Sequence, residues 1–329
     1  MVEALVVRLW LVFCLVACGC ATAEPAPALP SPAPIPVPPE PPPPVPERPP
    51  AVPVGIALHL LGDPPGCAAN AEPVPCGLTA LYAGHAPERS DALALYAEFG
   101  DVAGLDEGGV MDGGFRGSIT LVPELPVGPH ARLLHDVLSA QRSMAAFLAQ
   151  VSARAPDPVR FRHTGIAWRF FRSVGRKTPS AMAGDWEIAV NVSGGLLTTA
   201  AGVEDTLMHE MFHNNDEGDW SRRQLGATVD AIVARCGTDT ACLEPYSPGT
   251  TKVKGGTWYA FQPDNGDPAH EYAAELSLRY LRETRAALQG APPPAPFRCR
   301  TPENRAAWDA YVATFMGGLD LSAPCVAGG

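Results

Sequence analysis

The sequence predicts an α+β fold on three observations. Residues 129–153 place apolar side chains at helical spacing, through Leu133, Leu134, Val137, Leu138, Met144, Phe147 and Leu148. Residues 161–171 and 187–192 then read as strands, rich in aromatic and β-branched residues. From there onward only helical patterns recur, at 203–214, 220–235, 271–288 and 302–315. Strands and helices are segregated along the chain rather than alternating, which places it in the α+β class.

The first segment is an address rather than a fold. Residues 4–17 are apolar but too short to span a bilayer, and they stand where a signal segment stands. Leu15-Val16-Ala17-Cys18 resembles a bacterial lipobox, in which Cys18 becomes the lipidated first residue; Ala21-Thr22-Ala23 offers an alternative cleavage site. We therefore expect a lipoprotein-type signal over 1–18 and a membrane anchored through Cys18. Residues 19–53 are dominated by Pro and Ala. Proline cannot donate a backbone hydrogen bond and favours the extended polyproline helix, so this segment reads as a stalk or spacer.

Residues 54–117 are rich in Gly, Pro and small side chains, and only 90–99 looks helical. They read as an N-terminal cover or small subdomain ahead of a main domain over 118–329. Within that domain His163, Trp168 and Phe171 fit a core or sheet face better than a metal site.

The stretch Leu207-Met208-His209-Glu210-Met211-Phe212-His213 carries the chemistry. Its two histidines are four residues apart, so both imidazoles share one helix face and can reach one ion. Glu210, beside the first histidine, is placed to act as a general base on water activated by that ion. The bland alternative is a buried helix with two incidental histidines. A catalytic zinc usually takes a third protein ligand. Glu271 and Glu275 are also four apart, hence on one face of a second helix. One can bind the metal while the other holds a ligand histidine; the alternative is a solvated acidic face. His270 is an alternative ligand, but it points about 100° from Glu271 around a helix, so the two do not face one ion together.

The H-E-x-x-H motif followed by a downstream helix carrying Glu-x-x-x-Glu resembles the gluzincin metallopeptidases. Glu271-Tyr-Ala-Ala-Glu275 and the continuation His213-Asn-Asn-Asp216 look most like the catalytic domain of anthrax lethal factor and its bacterial relatives. The resemblance covers about 118–316 and implies a two-lobed zincin-like fold with the active helix between the lobes. It implies zinc held by His209, His213 and Glu271, with Glu210 as general base and Glu275 as outer partner of a ligand histidine. The expected activity is hydrolysis of peptide bonds in peptides or proteins. That family carries a tyrosine seven residues before the ligand glutamate, where this chain has Asp264. Tyr259 takes the oxyanion-stabilising role if residues 262–268 loop out. A second zincin pattern, H-E-x-x-H-x-x-G-x-x-H with a terminal Asp, would make Asp219 the third ligand, with Asp216 in the glycine position. The acidic clusters at 216–219 and 264–267 match no EF-hand loop and read as solvated loops, with calcium as the alternative.

Composition excludes other classes. The net charge is −11 and no long basic run is present, which argues against nucleic acid as a partner. Neither a phosphate-binding GxxxxGK[ST] loop nor a GxSxG nucleophile elbow occurs. Beyond the export segment, Cys67, Cys76, Cys236, Cys242, Cys299 and Cys325 accompany Cys18 and Cys20. Six cysteines in an exported chain imply disulfides, hence an extracytoplasmic compartment. Nearest-neighbour pairing is one of fifteen connectivities. The rival to a peptidase is a lipid-anchored binding module with a non-catalytic zinc site. The intact Glu210 speaks against it, because a structural site needs no base and is usually closed by four ligands.

Overall fold

The computed structural model describes residues 51–113, 117–253, 256–263, 266–291 and 295–325. Cys18, nearly all of the 19–53 stalk and Asp264 lie outside them. The chain opens with three helices, α1 (Val54–Leu60), α2 (Pro73–Leu81) and α3 (Ala86–Phe99). Of these only the third was legible as a pattern; the first two are short, and Pro73 and Pro75 of α2 sit in its first turn, where a missing N–H costs nothing.

Six described strands form one sheet: β1 (Val102–Leu105), β2 (Gly109–Asp112), β3 (Ser118–Pro123), β4 (Ala167–Ser173), β5 (Ala181–Gly184) and β6 (Glu187–Asn191). Their order is β2-β3-β4-β6-β5, with β1 pairing β4 in parallel alongside Ala167–Phe170 and β3 pairing it antiparallel from Phe171 onward. The fold is thus α+β, and β1 and β2, from 54–117, belong to the same sheet as β3 to β6. Residues 43–329 form one compact unit; the other unit, Met1–Pro42, is wholly outside the described residues.

One expectation shifts at β4. The strand starts at Ala167 rather than 161, because the backbone N–H groups of Arg160 and Phe161 both donate to the Phe315 carbonyl and that of Arg162 to Asn215 Oδ1. Those donors are therefore used outside the sheet. Trp168 and Phe171 are buried as expected, while His163 lies beside the fully buried Asp101, which also accepts hydrogen bonds from Gln141, Trp168 Nε1 and the Ile166 N–H.

Helix α4 (Ala131–Ser152) backs the sheet. Its Leu133 and Val137, with Val203 and Leu207 of α5 (Ala200–Asn215), face Trp168, Ile188 and Val190 across one interior seam. Helix α5 packs against α4 and edge strand β5, and against α8 (Pro268–Leu288) on its other side. Helices α6 (Trp220–Cys236) and α9 (Pro302–Phe315) pack on α8, and the single turn α7 (Thr240–Leu243) follows α6. Three disulfides join Cys67 to Cys76, Cys236 to Cys242 and Cys299 to Cys325, the nearest-neighbour connectivity. Among the described residues no helix is long and apolar enough to cross a membrane.

Candidate metal centre

Helix α5 presents the histidines because both of its ends are pinned. Thr199 caps the N-terminus by accepting a hydrogen bond from the Gly202 N–H at 3.0 Å. At the other end Asn214 accepts from the Trp186 N–H, and Asn215 bonds both the N–H and the carbonyl of Arg162. Helix α8 is started by Asp267, whose side chain accepts from the Ala269 N–H, with Pro268 in the first position. Arg285 of α8 makes two hydrogen bonds to Glu204 of α5, and Arg282 one to Asp205. Those ties fix the register at which the two helices face each other.

The register brings together His209, His213 and Glu271. Nε2 of His209 lies 3.1 Å from Nε2 of His213 and 3.1 Å from Oε2 of Glu271. All three donor atoms lie within 4.8 Å of one another. A tetrahedral ion with bonds of about 2.1 Å spaces its ligand atoms about 3.4 Å apart. Glu271 Oε2 is buried, and apart from its approach to His209 Nε2 it has no hydrogen-bond partner, so part of its accepting capacity is left unused in the interior. The donor set and its spacing fit a metal ion, and His209, His213 and Glu271 could hold it.

Glu275, one turn beyond Glu271, takes the other face of His209: its Oε1 lies 3.4 Å from Nδ1. Glu210 and His209 are each only 7% exposed. Burial opposes charge on His209, but the carboxylates of Glu271 and Glu275 outweigh it and hold the imidazole pKa well above its ordinary value. Burial, and then the charges of His209 and His270, push His213 down to about 2. Glu210 is raised to about 7, first by burial, with Glu271 adding to the shift and His209 and His270 opposing it.

Asp219 is not among the converging residues. It precedes α6 at φ 53°, a left-handed geometry that Asp tolerates better than most residues. Asp216 is engaged elsewhere. It accepts from the N–H and Oγ of Ser221, and its Oδ2 lies 2.7 Å from His270 Nδ1. His270 in turn stacks on His213 with ring centroids 4.1 Å apart. Sequence reading missed this Asp216–His270 pair, since its halves lie on different elements 54 residues apart and no spacing links them.

Tyr259 stands at the start of a short turn, Tyr259–Phe261, its ring 5.7 Å from that of His209. Two cavities meet at His209, Glu210 and Tyr259. One, of about 350 Å³, extends past His213 and His270 beneath Met111 and Ile119. The other, of about 470 Å³, extends between Leu196, Val253 and Leu278 and is more apolar. Both run along Ala181 of β5, whose outer edge is unpaired in the described sheet. The site therefore lies where the two cavities adjoin, and together they form a cleft along it. No family model, curated protein or solved structure matches this chain, so the functional reading rests on this geometry.

Proposed function

We propose that this chain is a zinc-dependent peptidase of the gluzincin kind, with a zincin-like fold, acting outside the cytoplasm. The observation that carries the reading is the convergence of His209, His213 and Glu271 at one point with Glu210 alongside. Zinc held there would supply Lewis-acid polarisation of a peptide carbonyl and acidification of water. Glu210 takes the proton from the attacking water and returns it to the leaving amine. Tyr259 donates a hydrogen bond to the oxyanion. Glu275 keeps the His209 ring oriented with Nε2 toward the other ligands. A cleft running along the site suits a substrate chain that continues past the cut bond, and β5 offers unpaired backbone groups to an extended peptide.

The same reading assigns 1–18 as a lipoprotein signal, Cys18 as the lipidated residue, 19–53 as a stalk and a bacterial membrane as the anchor. The three disulfides support an oxidising compartment. The test is metal content together with cleavage of casein. The full-length protein is expected to carry about one zinc per chain, removable by chelator, and to cleave casein. Glu210→Gln should retain the zinc and lose nearly all cleavage. Wild type that holds zinc but is as inert as Glu210→Gln would replace the peptidase with a tethered binding module.

A further inference from the structure

Residues 247–251 pass directly behind Glu275. Gly249 is buried there. Its backbone is not in the left-handed region, so conformation does not call for glycine. Space does. A Cβ on Gly249 would fall 1.6 Å from Oε2 of Glu275, 2.7 Å from Cδ and 3.3 Å from Cγ. One carboxylate oxygen of Glu275 thus occupies the volume that a side chain at 249 would fill. The other, Oε1, faces Nδ1 of His209.

The segment is held at both ends and cannot simply step aside. Upstream, Cys242 is bonded to Cys236, and the Pro245 carbonyl accepts from Asn304 Nδ2 of α9. The Ser247 N–H donates to the carbonyls of Leu243 and Glu244, and Ser247 Oγ donates to the Gly249 carbonyl at 3.0 Å. Downstream, the Tyr259 N–H donates to the Thr251 carbonyl. An added methyl group would therefore be relieved mainly by displacing the Glu275 carboxylate. Glu275 is 6% exposed and stands on α8.

Building on the metal-centre reading above, we infer that Gly249 is a positioning residue. The slot left by its missing side chain seats one oxygen of Glu275 and thereby aims the other at His209, which sets the ring orientation that puts Nε2 among the ligands. Gly249 lines neither cavity, and the three atoms nearest its missing Cβ all belong to Glu275, so its effect on the metal centre passes through that side chain.

A double-mutant cycle on zinc affinity tests this, read by chelator competition on the full-length protein and by the visible spectrum of the cobalt-substituted form. Gly249→Ala is expected to weaken zinc binding about 10- to 100-fold, the range for loss of an outer partner of a ligand histidine, and to alter the cobalt spectrum. Glu275→Ala should do the same. The double variant should bind no more weakly than Glu275→Ala, because removing the carboxylate empties the space the methyl group needs. Should Gly249→Ala fail to fold, a double variant that folds and binds like Glu275→Ala supports the inference equally. Wild-type affinity in Gly249→Ala, wild-type affinity in Glu275→Ala, losses that multiply in the double variant, or a double variant that does not fold would each overturn it. If wild type holds no zinc before any variant is compared, it is the metal centre itself that falls.

Discussion

His209 is gripped from both sides by one helix. Glu271 approaches Nε2 and Glu275 approaches Nδ1, so two like charges one turn apart, mildly repulsive on a bare helix, share a partner between them. The shared partner gives the pair a structural reason that its spacing alone does not. It also separates the roles. Glu271→Gln is expected to lose most zinc affinity, because a neutral amide is a poor substitute for a ligating carboxylate. Asp219→Asn should leave zinc affinity as in wild type, since Asp219 lies away from the converging atoms. Chelator competition on the two variants checks this. Normal binding by Glu271→Gln with loss in Asp219→Asn would move the third ligand to the loop before α6.

At the scale of elements the decisive contact is α5 against α8. The two ligand-bearing helices are aligned by Arg285 on Glu204 and by Arg282 on Asp205. Burial alone would raise the Glu204 pKa. The hydrogen bonds of Arg285 and Ser143 outweigh burial and hold it below its ordinary value. A carboxylate depressed in the folded state stabilises fully above its unfolded pKa, about 4.3, and loses that contribution as pH falls through the lower folded value. Glu204→Gln is therefore expected to lower the thermal midpoint at pH 7 and to shrink the drop in midpoint on acidification below about pH 4.3. Parallel midpoint curves for variant and wild type from pH 7 to pH 3 would show that the pair contributes nothing.

For the whole molecule, none of the three disulfides lines the cavities at the metal centre. Cys236–Cys242 closes the turn after α6, and Cys299–Cys325 ties the start of α9 to the C-terminal segment. This is the construction expected of a chain that works where thiols oxidise. The anchor is the matching expectation at the N-terminus. Cys18→Ser should shift the protein from the membrane pellet to the soluble fraction, because the acyl chains on that residue carry the attachment. A variant that still pellets would leave the lipobox reading without support.

By itself the sequence determined what is local and periodic. The i, i+4 spacing of His209 and His213 follows from one helical turn, and so does that of Glu271 and Glu275. The last helix, expected at about 302–315, is α9 at Pro302–Phe315. Helices α4, α5, α6 and α8 were legible to within about three residues at each end, because caps and apolar faces are written in neighbouring residues. Tertiary structure alone decided the rest. That β1 and β2 join the sheet of β3 to β6 depends on pairing across long stretches of chain, which leaves no periodic mark. That Glu271 rather than Asp219 meets the histidines depends on how α5 docks on α8. Most of all, Gly249 reads in the sequence as one more loop glycine. Only the packed molecule shows that its missing Cβ is the space in which Glu275 sits, because excluded volume between distant segments exists only once they are folded together.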